Sequence, residues 1–124
     1  MNKVAMYQYS KCGTCRDAVK SLTSRGVEVN KIELFDHPPS PQELKRLIEL
    51  SGLESKKFFN TSGEVYKEMQ LKDKVASMSE AEKIALLCSN GRLIKRPIVT
   101  DGLKVTVGYK EEEFIRMWGA PPKK

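Results

Sequence analysis

The sequence predicts an α/β fold ordered βαβ, then helices, then ββα, and three observations carry that prediction. An apolar run, Val4 to Tyr9, leads directly into Cys12-Gly13-Thr14-Cys15-Arg16 and a helical pattern that reaches about Arg25. Between residues 40 and 90, three capping signals each open a helix. After them, two short β-branched runs flank Asp101-Gly102.

Taken in order, Lys3 to Gln8 reads as a buried first strand, and the Cys12–Arg25 helix stops at Gly26, a natural residue just past a helix end. Val27-Glu28-Val29-Asn30-Lys31-Ile32-Glu33-Leu34 alternates apolar and polar residues, a strand pattern. Two strands around one helix make a right-handed βαβ unit the expected topology. Ser40-Pro41-Gln42-Glu43 joins a capping box to a proline at the first helical position; its helix carries Leu44, Leu47, Ile48 and Leu50 and ends at Gly52. Thr61 with Glu64 reads as a second box leading into Val65, Met69 and Leu71. Ser79 with Glu82 reads as a third, opening a helix through Ile84, Leu86 and Leu87 to about Asn90-Gly91. Ile98-Val99-Thr100 and Lys104-Val105-Thr106-Val107 flank Asp101-Gly102, a strong short-range hairpin signal. A last helix, Glu111 to Trp118, places Phe114, Ile115 and Trp118 on one face, and the Pro121–Lys124 tail reads as frayed. The whole is a thioredoxin-like fold (βαβ–ββα) with an all-helical insertion in the middle. It forms a single domain over residues 1–124, with its core at about 1–36 and 92–120 and its insertion at about 37–91.

Composition narrows the function class. Hydrophobic residues make up 40% and charged residues 31%, as in an ordinary globular chain. No apolar run approaches the roughly 20 residues that cross a bilayer, and Met1-Asn2-Lys3 enters a strand with no signal-peptide pattern. A cytoplasmic protein without a membrane partner is therefore expected. Three cysteines leave one over from any internal pairing, which argues against a structural disulfide framework. The net charge of +6 favours anionic partners, but the basic residues are scattered and no aromatic ladder accompanies them, so direct nucleic-acid binding is not expected. No sustained heptad is visible, and a monomer is the expectation.

The chemistry is carried by Cys12 and Cys15. A C-x-x-C where a strand meets a helix, near the start of a βαβ pattern, is the signature of thioredoxin-like redox chemistry. The first N–H groups of a helix have no intrahelical partner, and the dipole puts partial positive charge there, so a thiolate is favoured over a thiol. Arg16 adds a cation one turn on. Cys15, Ala18, Val19 and Leu22 share one helical face, which turns Cys15 inward; Cys12 then attacks and Cys15 resolves. Half a structural zinc site is the bland alternative. It needs two more ligands, and only Cys88 and His37 remain, both isolated. No metal is expected. Cys88, after Leu86-Leu87, reads as a small buried hydrophobe, and His37 as a loop residue. Asn60-Thr61-Ser62-Gly63 reads as a helix start with anion binding as a further possibility.

With Cys12-Gly13-Thr14-Cys15-Arg16, Pro38-Pro39-Ser40, Lys95-Arg96-Pro97-Ile98-Val99 and Val107-Gly108-Tyr109-Lys110-Glu111-Glu112 assembled in this order, the chain resembles the arsenate reductase (ArsC)-like family, including its Spx/MgsR group, over nearly its whole length. The resemblance implies that Arg96-Pro97 lies beside Cys12 with Pro97 in the cis form, and that Arg96, Pro97 and Arg16 help bind the substrate. It implies no bound cofactor, only an external thiol reductant: glutathione with glutaredoxin, or thioredoxin. Two departures stand out. Glutaredoxin-coupled arsenate reductases typically carry serine at the position of Cys15 and further arginines where Asn60 and Gly108 stand here. Cys15 instead resembles the Spx-type switch, in which a Cys12–Cys15 disulfide controls contact with RNA polymerase through its alpha subunit. Spx-type regulators usually extend beyond their final core helix, whereas this sequence stops at Lys124. The expectation is accordingly an arsenate-reductase-like oxidoreductase, with the redox-switched regulator as the alternative.

Overall fold

In the computed structural model, which describes residues 3–9, 11–61 and 63–119, the sheet is assembled on its first strand. β1 (Lys3–Gln8) pairs in parallel with β2 (Glu28–Glu33) and antiparallel with β3 (Ile98–Thr100). β3 in turn pairs antiparallel with β4 (Val105–Val107), giving the order β2-β1-β3-β4. Side chains alternate across a strand, so Val4 and Met6 share one face of the sheet. Both are buried in one cluster with Cys15, Ala18, Leu22, Val99, Phe114 and Trp118. α1 (Gly13–Ser24) supplies Cys15, Ala18 and Leu22 at helical spacing and ends ahead of Gly26. This is the expected thioredoxin-like arrangement.

α6 (Glu111–Trp118) has three glutamates in its first turn, where the helix dipole favours negative charge. It buries Phe114 and Trp118, and the Trp118 indole N–H donates to Thr106 Oγ1 at 3.2 Å. Ile115 does not join that face: it is 42% exposed, while half-buried Met117 packs on the core instead. The β3–β4 connection runs over four residues, 101–104, rather than the two of the tightest hairpins. Asp101 Oδ1 accepts the N–H groups of Leu103 and Lys104, and Thr100 Oγ1 accepts that of Gly102. Side chains thus satisfy the turn's donors.

The chain divides into two compact units, residues 1–33 with 96–124, and residues 34–95. In the second, α2 (Pro41–Ser51) and α5 (Glu80–Ser89) pack together. The α5 cap is reciprocal between Ser79 and Glu82, whereas Ser40 forms only the half that accepts from the Glu43 N–H. The helix expected from Thr61 is broken. Its cap is Gly63, not Thr61, and α3 (Glu64–Glu68) gives way at Gln70, which takes a left-handed φ of 53°. α4 (Leu71–Lys74) follows, with a 3₁₀ turn at Val75–Ser77. The reason lies in the buried set. Tyr66 and Leu71 are both buried, yet one continuous helix would point them about 140° apart. Ser62 and the Pro121–Lys124 tail lie outside the described residues. Gly91 allows Leu34 to approach closely: a Cβ there would sit 2.2 Å from the Leu34 carbonyl oxygen. Among the described residues no helix is long and apolar enough to cross a membrane.

Candidate active site

Cys12 is the N-cap of α1, in extended backbone conformation, with its N–H donated to the Tyr9 carbonyl at 3.0 Å. Its side chain is half-buried. Cys15, one turn on, is fully enclosed in the core beside Met6 and Phe114. The sequence expected this inward turn of Cys15, and the apolar face of α1 explains it.

The two thiols are shifted in opposite directions. Burial pushes Cys12 up, but the N–H and thiol of Cys15, the Arg96 guanidinium and the N–H of Thr14 together outweigh it, so its pKa falls below the ordinary cysteine value. Cys12 does not cap α1 with a hydrogen bond of ordinary geometry; the two N–H groups act on the sulfur as oriented dipoles, and they favour the thiolate. For Cys15, burial dominates. The Cys12 sulfur, which takes its hydrogen bond and repels a second negative charge, adds to it, and the pKa is pushed up to about 12. One poised thiolate thus sits against one protonated thiol.

The cation that acts on Cys12 is Arg96. Helical spacing offers Arg16 for that role, but Arg16 lies exposed on α1; it is Arg96, placed beside Cys12 by the family resemblance, that acts on the thiol. Arg96 enters the site from the strand side, joined to Pro97 by a cis peptide bond, as the resemblance implied. Its Nε and Nη1 atoms are buried, and its guanidinium lies 5.5 Å from the centre of the Tyr9 ring. In the sequence Tyr9 marks only the end of the first apolar run. The signal available was an aromatic three residues before the first cysteine. The Pro97 carbonyl accepts the Gly108 N–H at 2.8 Å, tying Arg96-Pro97 to the end of β4.

A second polar cluster was also missed. Glu111, at the start of α6, accepts the hydroxyls of Ser21 (2.6 Å) and Tyr109 (2.7 Å) and pairs with the Arg25 guanidinium. The Ser21 hydrogen bond is the largest cause lowering its carboxyl, which falls to about 2. This cluster joins the second half of α1 to α6. Its members are spread over 90 residues of sequence, so no local pattern announces it.

The remaining candidates are less engaged. Cys88 is half-buried rather than buried, and burial followed by the Glu43 charge pushes its thiol up. His37 is exposed. The anion reading at Asn60–Gly63 loses its basis: α3 is only five residues long, Glu64 already places an acid in its first turn, and the Asn60 side chain fills the space beside Gly63. Gly108 has φ 81°, a left-handed backbone conformation in which a residue with a side chain would be strained. Among the described residues, no three His, Cys, Asp or Glu side chains gather where they could hold a metal ion.

The ArsC family model matches residues 7–117. Among curated proteins, the chain is 56% identical to the uncharacterized protein YusI of Bacillus subtilis strain 168, over 93% of this chain and 98% of that one. It is 27% identical to the regulatory protein MgsR of the same organism, over 93% and 90% of the two chains. It is 26% identical to that organism's global transcriptional regulator Spx, over 91% and 85%. Among solved structures it is similar to an ArsC-family-related protein from Bacteroides fragilis, with a TM-score of 0.88 and 47% identity over 91% of this chain and 95% of that one. It is also similar to an arsenate reductase from Vibrio cholerae, with a TM-score of 0.83 and 29% identity over 94% and 98%. The family model spans both cysteines, Arg96-Pro97 and the elements that hold them, and on that ground the chain belongs to the ArsC family.

Proposed function

We propose that this chain is a cytoplasmic thiol–disulfide oxidoreductase with Cys12 as nucleophile and Cys15 as resolving thiol. One observation carries the reading: two cysteines one helical turn apart, the outer lowered in pKa and the inner raised. The Cys12 thiolate attacks one sulfur of a substrate disulfide, forming a mixed disulfide and releasing the other sulfur as thiolate. That step removes the negative charge from Cys12. Two of the three causes that hold Cys15 protonated are the charge and the hydrogen bond at Cys12, so both vanish, while Arg96 remains to favour a thiolate. Cys15 gives up its proton and attacks the Cys12 sulfur, and the Cys12–Cys15 disulfide forms as the reduced substrate thiolate leaves. Two electrons have passed to the substrate. A thioredoxin, or glutathione with glutaredoxin, restores the dithiol.

Arg96, Pro97 and Arg16 are the proposed substrate contacts, Arg96 because its planar fork suits an oxyanion or a carboxylate. Arsenate itself is not the substrate we favour, since Asn60 and Gly108 stand where the arsenate reductases typically place further arginines. Replacing Cys15 by serine keeps the nucleophile and removes the resolving thiol. An oxidoreductase is then expected to accumulate mixed disulfides with its substrates, identified by mass spectrometry.

The regulatory relatives, MgsR and Spx, favour a second reading: a switch whose Cys12–Cys15 state controls binding to the alpha subunit of RNA polymerase. It predicts a non-covalent complex with that subunit whose affinity changes at least about tenfold between dithiol and disulfide, or 1.4 kcal/mol. Such a complex, with no trapped substrates and no disulfide reductase activity, would replace the first reading.

A further inference from the structure

A cleft of about 710 Å³ opens in the helical unit, and every residue lining it falls between Glu54 and Lys95. That volume is within the range of small-molecule sites, roughly 300–1,000 Å³. Five lysines line it, Lys56, Lys57, Lys72, Lys83 and Lys95, against two carboxylates, Glu54 and Glu80. Both carboxylates are already engaged. Glu54 pairs with Lys56 at 3.3 Å; Glu80 pairs with Lys83 at 3.6 Å and accepts the Ser55 hydroxyl at 2.6 Å. Among the described residues, Lys57, Lys72 and Lys95 have no such ion pair, and they leave the cleft with a local excess of positive charge.

These three lysines converge from separate elements that the fold fixes. Lys57 sits in the 3₁₀ turn Ser55–Phe58, Lys72 in α4, and Lys95 on the short paired segment where Phe59 faces Ile94. The Lys95 N–H donates to the Phe58 carbonyl at 2.7 Å, so the backbones carrying Lys57 and Lys95 are tied together. Phe59 and Tyr66 also line the cleft, their rings edge to face with centroids 6.0 Å apart. A concavity lined by an excess of cations raises the local concentration of anions. Lysine ammonium groups are compact point charges that approach phosphate oxygens from any direction, and three of them match a chain carrying several negative charges better than one carboxylate.

We infer that this cleft binds the phosphate chain of a small polyphosphorylated anion, either inorganic polyphosphate or a nucleoside triphosphate. The site is tested on the full chain by isothermal titration calorimetry with sodium tripolyphosphate and, separately, with ATP, at about 50 mM salt, where surface electrostatics are still strong. Replacing Lys57, Lys72 and Lys95 together by glutamine is expected to weaken tripolyphosphate binding at least tenfold. The triple replacement Lys20→Gln, Lys31→Gln and Lys110→Gln removes equal charge from exposed positions elsewhere and is expected to change it less than twofold. Equal affinity for the two probes assigns the cleft to the phosphate chain alone; tighter binding of ATP assigns it to nucleotides; either upholds the inference. Amide shifts on adding tripolyphosphate to the unaltered protein, expected within residues 54–83 and at Lys95, give a reading that needs no variant. The inference falls if no binding is seen at millimolar probe, if both triple variants lose affinity equally, or if the shifts lie elsewhere. Tighter, cleft-dependent binding of a polyglutamate peptide than of tripolyphosphate would also overturn it.

Discussion

Each of the two units carries a half-buried thiol at one end of a helix, and the two are shifted in opposite directions. Cys12 stands at the N-terminus of α1, where unpaired N–H groups and Arg96 face the sulfur, and its pKa is lowered against the pull of burial. Cys88 stands in the last turn of α5, where the dipole is negative, and burial followed by the Glu43 charge raises its pKa. Burial raises both thiols, so it does not separate them. The polarity of the helix end and the sign of the neighbouring charge do. The same contrast holds for the cations. In the thioredoxin-like unit, Arg25 and Arg96 are enclosed against specific partners, Glu111 and the Tyr9 ring. In the helical unit, lysines face an open cleft. Enclosed arginines tune single groups; gathered lysines set a field.

The largest expected effect breaks the comparison at the thiols. Cys12→Ser is expected to lower the rate of disulfide reduction at least about a thousandfold, some 4 kcal/mol of barrier, while Cys88→Ser stays within about twofold. Alkylation rate against pH, measured on variants retaining one of the two cysteines, is expected to give a midpoint below the free-cysteine value for Cys12 and above it for Cys88. Midpoints in the opposite order would refute the electrostatic account of both helix ends.

A smaller effect isolates Arg96. Arg96→Met removes the cation, and the Cys12 midpoint is expected to rise, slowing thiolate chemistry at pH 7 on the order of tenfold. Arg96→Lys keeps charge but loses the planar fork, so it is expected to fall between the two. The Tyr9 ring faces the Arg96 guanidinium: Tyr9→Phe keeps a ring there and is expected to match the parent, whereas Tyr9→Leu is expected to shift the midpoint toward that of Arg96→Met. If Tyr9→Leu left the midpoint unmoved while Arg96→Met shifted it, Tyr9 would have no part in placing the cation.

These residues also mark where the sequence was legible. β1, α1, α6 and the capping boxes of α2 and α5 follow local rules, an apolar period or a cap three residues from its partner, and those rules are visible in a single chain. Cys12 and Cys15 were legible for the same reason, since their burial and helix-end position follow from the α1 pattern. The segment from Thr61 to Ser77 was not, because burying Tyr66, Leu71 and Val75 together overrides helical propensity at Gln70. The cation beside Cys12 was legible only through the family resemblance: helical spacing offers Arg16, close in sequence, whereas Arg96 is brought in by the antiparallel pairing of β1 with β3. Long-range pairing of this kind leaves no local trace.

The smallest effect concerns acid, and it sets one carboxylate from each unit side by side. Glu111 is held down to about 2, first by the Ser21 hydroxyl, then by Tyr109 and Arg25. Glu82, in the α5 capping box, is also lowered, first by the Ser79 N–H. Both folded-state values lie below the unfolded value, so each contributes stability that is present above about pH 4.5 and is lost as pH falls through the folded pKa. Because the Glu111 side chain is 44% exposed, solvent screening reduces its share to on the order of 1 kcal/mol. Glu82 is fully exposed, and its share is smaller still. Urea denaturation at pH 7, 4 and 2 is therefore expected to show Glu111→Gln less stable than the parent at pH 7. That gap closes toward pH 2, where the parent carboxyl takes up its proton, and Glu82→Gln shows a narrower gap of the same sign. A Glu111→Gln gap that stays constant down to pH 2 would mean that the Ser21–Arg25–Tyr109 cluster joins α1 to α6 through shape and neutral hydrogen bonds, and that its charge contributes nothing.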